Sequence, residues 1–168
     1  MVSTVSLKNK KGFTIVELLI VIVVIGILAT LVIVTFTGIQ QKGRNSQRQT
    51  DINAVDSHVE SFYAQHGFYP TLADLQSSTF VSKWLKGLDP EALRDPKQAS
   101  GQTIKATSSS SEYSYVASNT GGTGCTNTTA TTFDATSGDP IDNGCDKFVL
   151  TATLEGKSPA ETYAKQSN

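Results

Sequence analysis

Positions 13–34 read FTIVELLIVIVVIGILATLVIV, an unbroken apolar run whose one ionisable side chain is Glu17. As a helix this run rises about 33 Å, enough to cross a hydrocarbon layer of about 30 Å. Lys8, Lys10 and Lys11 precede it, and lysines on that side predict a cytoplasmic N-terminus and an exported C-terminus. A secretory signal peptide would need a shorter apolar core, roughly 7–15 residues, followed by a small-x-small cleavage site. Here the run is longer and continues into Phe36 and a polar helical pattern, with its only small-residue patch, Ala29-Thr30, lying inside it.

Glu17 constrains the run further. A carboxylate at membrane depth costs several kcal/mol unless partnered, so such a residue reads as functional by default. Taken alone it is equally readable as an acid near the start of the span that reaches the headgroups. The residues around it decide between the two. Lys10-Lys11-Gly12-Phe13-Thr14-Ile15-Val16-Glu17, followed by Leu18-Leu19, resembles the prepilin processing site of type IV pilins and of type II secretion pseudopilins.

That resemblance implies cleavage between Gly12 and Phe13 by a membrane prepilin peptidase and N-methylation of Phe13. It also implies a role for the Glu17 carboxylate in assembly. The expected organisation is a leader at 1–12, removed on processing, a transmembrane and assembly helix at 13–35, and a helix continuation plus globular head at 36–168. The chemistry agrees with the residue types. Glycine at the cut leaves the backbone open to a peptidase. The new amine on Phe13 is a cation, and opposite charges about 4 Å apart attract by roughly 4 kcal/mol at an effective dielectric near 20. Glu17 of one subunit therefore gains by meeting the Phe13 amine of a neighbour. Many members of the family carry a proline where this chain has Val34; here Gly26, Gly38 and Gly43 are the candidate bend points.

Beyond the span, Gln40 to Asp51 reads as solvated helix, with Arg44 and Arg48 on an exposed or headgroup-facing side. Ile52, Val55, Val59, Phe62 and Tyr63 then recur at steps of three and four, one helical face ready to pack on a sheet. Gly67 is a C-cap and Tyr69-Pro70 blocks further helix, so one helix is expected from about Thr14 to His66. Short helices and turns are expected over 71–98, with Trp84, Leu85, Leu88 and Leu93 on the core edge. A surface loop follows at 99–111. Glu112–Ala117 and Lys147–Glu155 read as strands that pair antiparallel across the helix stripe, and the polar residues 156–168 are expected to fray. The fold class is α+β: a long N-terminal helix packed on a small antiparallel sheet.

Cys125 and Cys145 lie in the part expected outside the cytoplasm, where one disulfide is the simplest reading and two free thiols the alternative. Closing that loop is worth about 3 kcal/mol. The bounded segment loosely resembles the cysteine-bounded loop of many pilins. Inside it, Asp134, Asp139, Asp142 and Asn143 offer hard oxygen ligands of the kind calcium takes, and some pseudopilins bind calcium; the spacing matches no EF-hand and an ordinary acidic loop is the competing reading. His58 and His66 read as surface or core-edge residues. No catalytic motif appears, which argues against an enzyme. Without residues 1–12 the chain keeps 11 basic residues against 15 acidic, a net of −4, no electrostatic reason for nucleic acid as main partner.

The leading expectation is a structural filament subunit whose partners are the prepilin peptidase, other pilin subunits, an inner-membrane assembly platform and membrane lipid. Its place is the cytoplasmic membrane as precursor, then an extracellular pilus or a periplasm-spanning pseudopilus. A type II secretion pseudopilin or a competence minor pilin is the runner-up. A membrane-tethered adhesin or binding head that never polymerises is the alternative of another class.

Overall fold

The computed structural model describes residues 12–121, 125–156 and 158–167. The expected leader, up to Lys11, lies outside the described residues. The elements run α1 (Ile15–His66), α2 (Leu72–Gln76), α3 (Ser78–Trp84), a 3-10 helix (Pro90–Leu93), β1 (Ser114–Ser118), β2 (Lys147–Leu154) and β3 (Glu161–Gln166). Two compact units divide between Ile39 and Gln40.

The first unit is the apolar part of α1. Every described side chain from Gly12 to Ile33 is exposed, and the helix is long and apolar enough to cross a membrane. Among the described residues of this unit nothing covers the run, which leaves a continuous apolar surface.

In the second unit the stripe on α1 does what its spacing predicts. Ile52, Val55, Val59 and Phe62 are at most 1% exposed, whereas Tyr63 sits at the rim, 36% exposed. The helix ends where Gly67 takes φ +82°, and the Gly67 N–H donates to Tyr63 O at 2.7 Å. Only a residue without Cβ takes that conformation at little cost.

The sheet is antiparallel in the order β1-β2-β3. Ser114 pairs with Thr151 and Ser118 with Lys147; on the other side of β2, Val149 pairs with Gln166 and Leu154 with Glu161. Period-two alternation puts Phe148, Leu150, Ala152 and Leu154 on the buried face of β2. Phe148, Leu150 and Ala152 join Tyr115, Leu85, Leu88 and Leu93 in the same core as the helix stripe, with Trp84 half-buried against it.

Three expectations need correction. Residues 156–168 do not simply fray, because Glu161–Gln166 form β3. The strand is polar since it is an edge strand with mostly exposed side chains, held through its backbone pairing with β2. The 99–111 loop is not without packing material: Ile104 is fully buried, and Lys105 bridges Ser114 of β1. The third correction concerns the arginines. Arg48 is wholly buried and paired with Asp95 and Glu155, and Arg44 grips Glu155 through Nε at 2.8 Å and Nη2 at 2.6 Å. Asn45 completes this grip. Its Nδ2 donates to Glu155 O, and its Oδ1 accepts from Glu155 N, at 2.9 and 2.8 Å. One turn of α1 thus holds the β2–β3 turn by side chains that look solvated in sequence.

Candidate functional site

Gly12 and Phe13 precede the first turn of α1 outside regular structure, both exposed, and a Cβ added at Gly12 would meet nothing within 4 Å. The backbone around the Gly12–Phe13 bond is therefore sterically open. Thr14 and Glu17 close the helix start reciprocally. Thr14 N and Thr14 Oγ1 donate to Glu17 Oε2 at 2.9 and 2.7 Å, and Glu17 N donates to Thr14 Oγ1 at 3.2 Å. This is a capping box, with Thr14 at the N-cap and Glu17 at the third helical position. It satisfies amides that the helix start would otherwise orphan, and it fixes the carboxylate beside the positive end of the helix dipole. Glu17 therefore faces back toward residue 13, and one acid both caps its own helix and presents charge on an otherwise uncharged rod.

The part Thr14 plays is not apparent from hydropathy; its mark in the sequence is Thr-x-x-Glu ahead of an apolar run.

The cysteine expectation holds: Cys125 and Cys145 form a disulfide with a Cα–Cα distance of 4.8 Å. The loop they bound is welded to the rest of the head. Asp74, 1% exposed, receives Thr131 N on Oδ1, and Thr71 N, Thr71 Oγ1 and Thr131 Oγ1 on Oδ2. Asn127 Oδ1 accepts from Leu72 N and Ala117 N, while its Nδ2 donates to Tyr115 O. The disulfide closes a loop that hydrogen bonds already hold.

The four residues considered for calcium are largely occupied with local structure. Asp134 Oδ1 accepts from Thr136 N and Ser137 N, and Asp142 Oδ1 accepts from Gly144 N. Asn143 donates through Nδ2 to Tyr69 O and Thr131 Oγ1, and its Oδ1 accepts from Cys145 N. Asp139 lies across a short hairpin, where its carbonyl accepts from Asp134 N. Among the described residues no group of three or more His, Cys, Asp or Glu side chains is gathered as a metal site. His58 and His66 also serve locally. His58 Nδ1 lies 2.8 Å from Ala54 O, a carbonyl acceptor, and the His66 ring stacks obliquely on Phe62 with centroids 4.5 Å apart.

Comparison with known proteins converges on the same helix start. Residues 7–33 match the family described as the prokaryotic N-terminal methylation motif. The competence protein ComGC of Bacillus subtilis is 41% identical over 80 residues, covering 45% of this chain and 78% of that protein. The ComG operon protein 3 homolog of Bacillus licheniformis is 32% identical over 87 residues, 51% of this chain and 90% of the relative. A type II secretion system core protein G from Aeromonas hydrophila is 30% identical over 88 residues, 52% of this chain; the chain spans 61% of that relative's length. No solved structure matches. With a methylation motif laid over a Thr14–Glu17 box, and relatives aligned over most of their own length, the chain belongs to the type IV pilin and pseudopilin family.

Proposed function

We propose that this chain is the structural subunit of a type IV pilus-like filament, cut between Gly12 and Phe13, methylated on Phe13, and polymerised through its N-terminal helix. The observation that carries the reading is Glu17: one carboxylate, held by Thr14 at the start of an apolar stretch of α1 whose described side chains up to Ile33 are all exposed. Hydrophobic association of such rods has no register of its own. A charge pair between Glu17 and the Phe13 amine of a neighbour supplies one, because an unpaired carboxylate among packed apolar helices is strongly disfavoured. In this reading residues 1–12 are the leader and 13–35 the membrane segment before assembly. A prepilin peptidase, an assembly platform in the cytoplasmic membrane and further copies of the chain are the partners. The role is structural, and no reaction is assigned to the head.

Electron microscopy of filaments sheared from cells, with mass spectrometry of the subunit N-terminus, tests both halves. The expected result is filaments whose subunit begins at a methylated Phe13. Abundant protein that retains the lysine-rich leader in cells with an active prepilin peptidase would sink the proposal.

A second reading, a pseudopilin of type II secretion, is favoured by the relatives that carry that name. Deletion separates the two: loss of protein export supports the pseudopilin, whereas loss of DNA uptake, adhesion or surface motility supports the pilus.

A further inference from the structure

Between α3 and the hairpin of residues 132–141 lies a cavity of about 270 Å³. Three aromatic side chains, Phe80, Trp84 and Phe133, line it. The Trp84 and Phe133 rings lie 12° from parallel with centroids 6.0 Å apart, and Phe80 adds a third ring 6.3 Å from Phe133. Phe133 is 43% exposed although it sits in this cluster.

The polar lining carries one cation, Lys83. Lys83 Nζ stands 4.5 Å from the Trp84 ring centre and 5.5 Å from that of Phe133, and its hydrogen bond to Gly138 O is long, at 3.4 Å. The Trp84 indole N–H is buried and has no acceptor among the described residues. Asp74 also lines the cavity, but both of its oxygens are taken by Thr71 and Thr131. Asp134, on the same hairpin, spends Oδ1 on the Thr136 and Ser137 amides. The site thus offers aromatic faces and an ammonium with spare hydrogen-bonding capacity.

Aromatic walls favour a flat apolar body, and a partly satisfied ammonium favours an anionic oxygen. The volume is just under the range typical of drug-sized pockets, roughly 300–1,000 Å³, and suits a single ring with one substituent. We propose that this cavity binds a small aromatic carboxylate, its ring against Phe133 and Trp84 and its carboxylate on Lys83. The proposal is independent of whether the chain polymerises.

Trp84 is the chain's one tryptophan, so its emission reports on the site directly. The full chain in detergent is titrated with phenylacetate and, separately, with benzylamine, which has the same ring and the opposite charge. Expected are a saturable change with phenylacetate in the millimolar range, no saturation with benzylamine, and a loss of affinity of about tenfold or more in Lys83→Met. That variant keeps the side-chain stem over the rings and removes only the charge. Phe133→Leu is expected to weaken binding as well. A response that is linear in phenylacetate, matched by benzylamine, or unchanged in Lys83→Met would overturn the site.

Discussion

Arg48 and Asp95 meet side by side in the interior of the head: Nε lies 2.6 Å from Oδ2, Nη2 lies 2.9 Å from Oδ1, and both side chains are fully buried. The pair is bidentate, and Glu155 lies 2.8 Å from the same guanidinium. Removing one partner leaves a buried charge uncompensated, a loss of about 3–5 kcal/mol. Arg48→Ala is therefore expected to destabilise the head by that order in urea unfolding followed by Trp84 emission. Arg48→Lys should recover little, because an ammonium cannot span both carboxylates with a planar fork. Stability equal to the parent chain in either variant would refute the buried-pair account.

Acid should loosen the same region. The Glu155 carboxyl is held at about 2, below its ordinary value of 4.5, chiefly by the hydrogen bonds from Arg44, with Arg48 adding to them and burial opposing. A carboxyl lowered on folding contributes stability that is complete above its unfolded value and lost as pH falls through the folded one. The window therefore runs from about pH 4.5 down to about pH 2, and the contribution is on the order of 3 kcal/mol. Unfolding free energy measured from pH 7 to pH 2 should fall within it, and Glu155→Gln should flatten part of that slope while lowering stability at pH 7.

Asp74 joins α2 to the disulfide loop with four donors on two oxygens. Asp74→Asn keeps the shape but turns an acceptor into a donor that faces other donors. The loss expected is about 2–3 kcal/mol, more than a typical single neutral hydrogen bond contributes. Thr131→Val should cost less, since it removes one donor and leaves the others in place. Equal effects from the two substitutions would contradict this ranking.

Two tasks of Glu17 can be separated by substitution. Glutamine serves at the third position of a capping box as glutamate does, so Glu17→Gln should keep the first turn closed while removing the charge. Thr14→Val should do the reverse, losing the box at a cost of about 1 kcal/mol to the helix start. Under the proposed assembly, filament yield collapses in Glu17→Gln and declines only partly in Thr14→Val. The opposite order would mean that capping, and not charge, governs incorporation.

Much of the fold was legible because its causes are local. The membrane-length run, the step of three and four from Ile52 to Phe62 and the alternation from Phe148 to Leu154 each report on burial within one element. The cysteine pair was legible as two thiols in a segment expected outside the cytoplasm. Arg48 was not, because the partners that make its burial affordable stand 47 positions away at Asp95 and beyond β2 at Glu155. Strand β3 was hidden because an edge strand is held by backbone pairing, which leaves no hydropathy mark on residues such as Glu161 and Lys165. At the site itself, Gly12, Phe13 and Glu17 stood out through their unusual combination, whereas Thr14 carried a signal that only its hydrogen bonds made plain.

The engagement of Asn127 has a bearing on decoration of the head. Asn127-Thr128-Thr129 has the form of an acceptor for N-linked sugar. In the folded head, however, its carboxamide oxygen takes two backbone amides and its nitrogen is spent on Tyr115 O. A glycan on that nitrogen would crowd the approach to Tyr115 O, whereas the carboxamide oxygen that Leu72 and Ala117 use would remain an acceptor, so decoration would strain one contact of the docked loop and spare the other two.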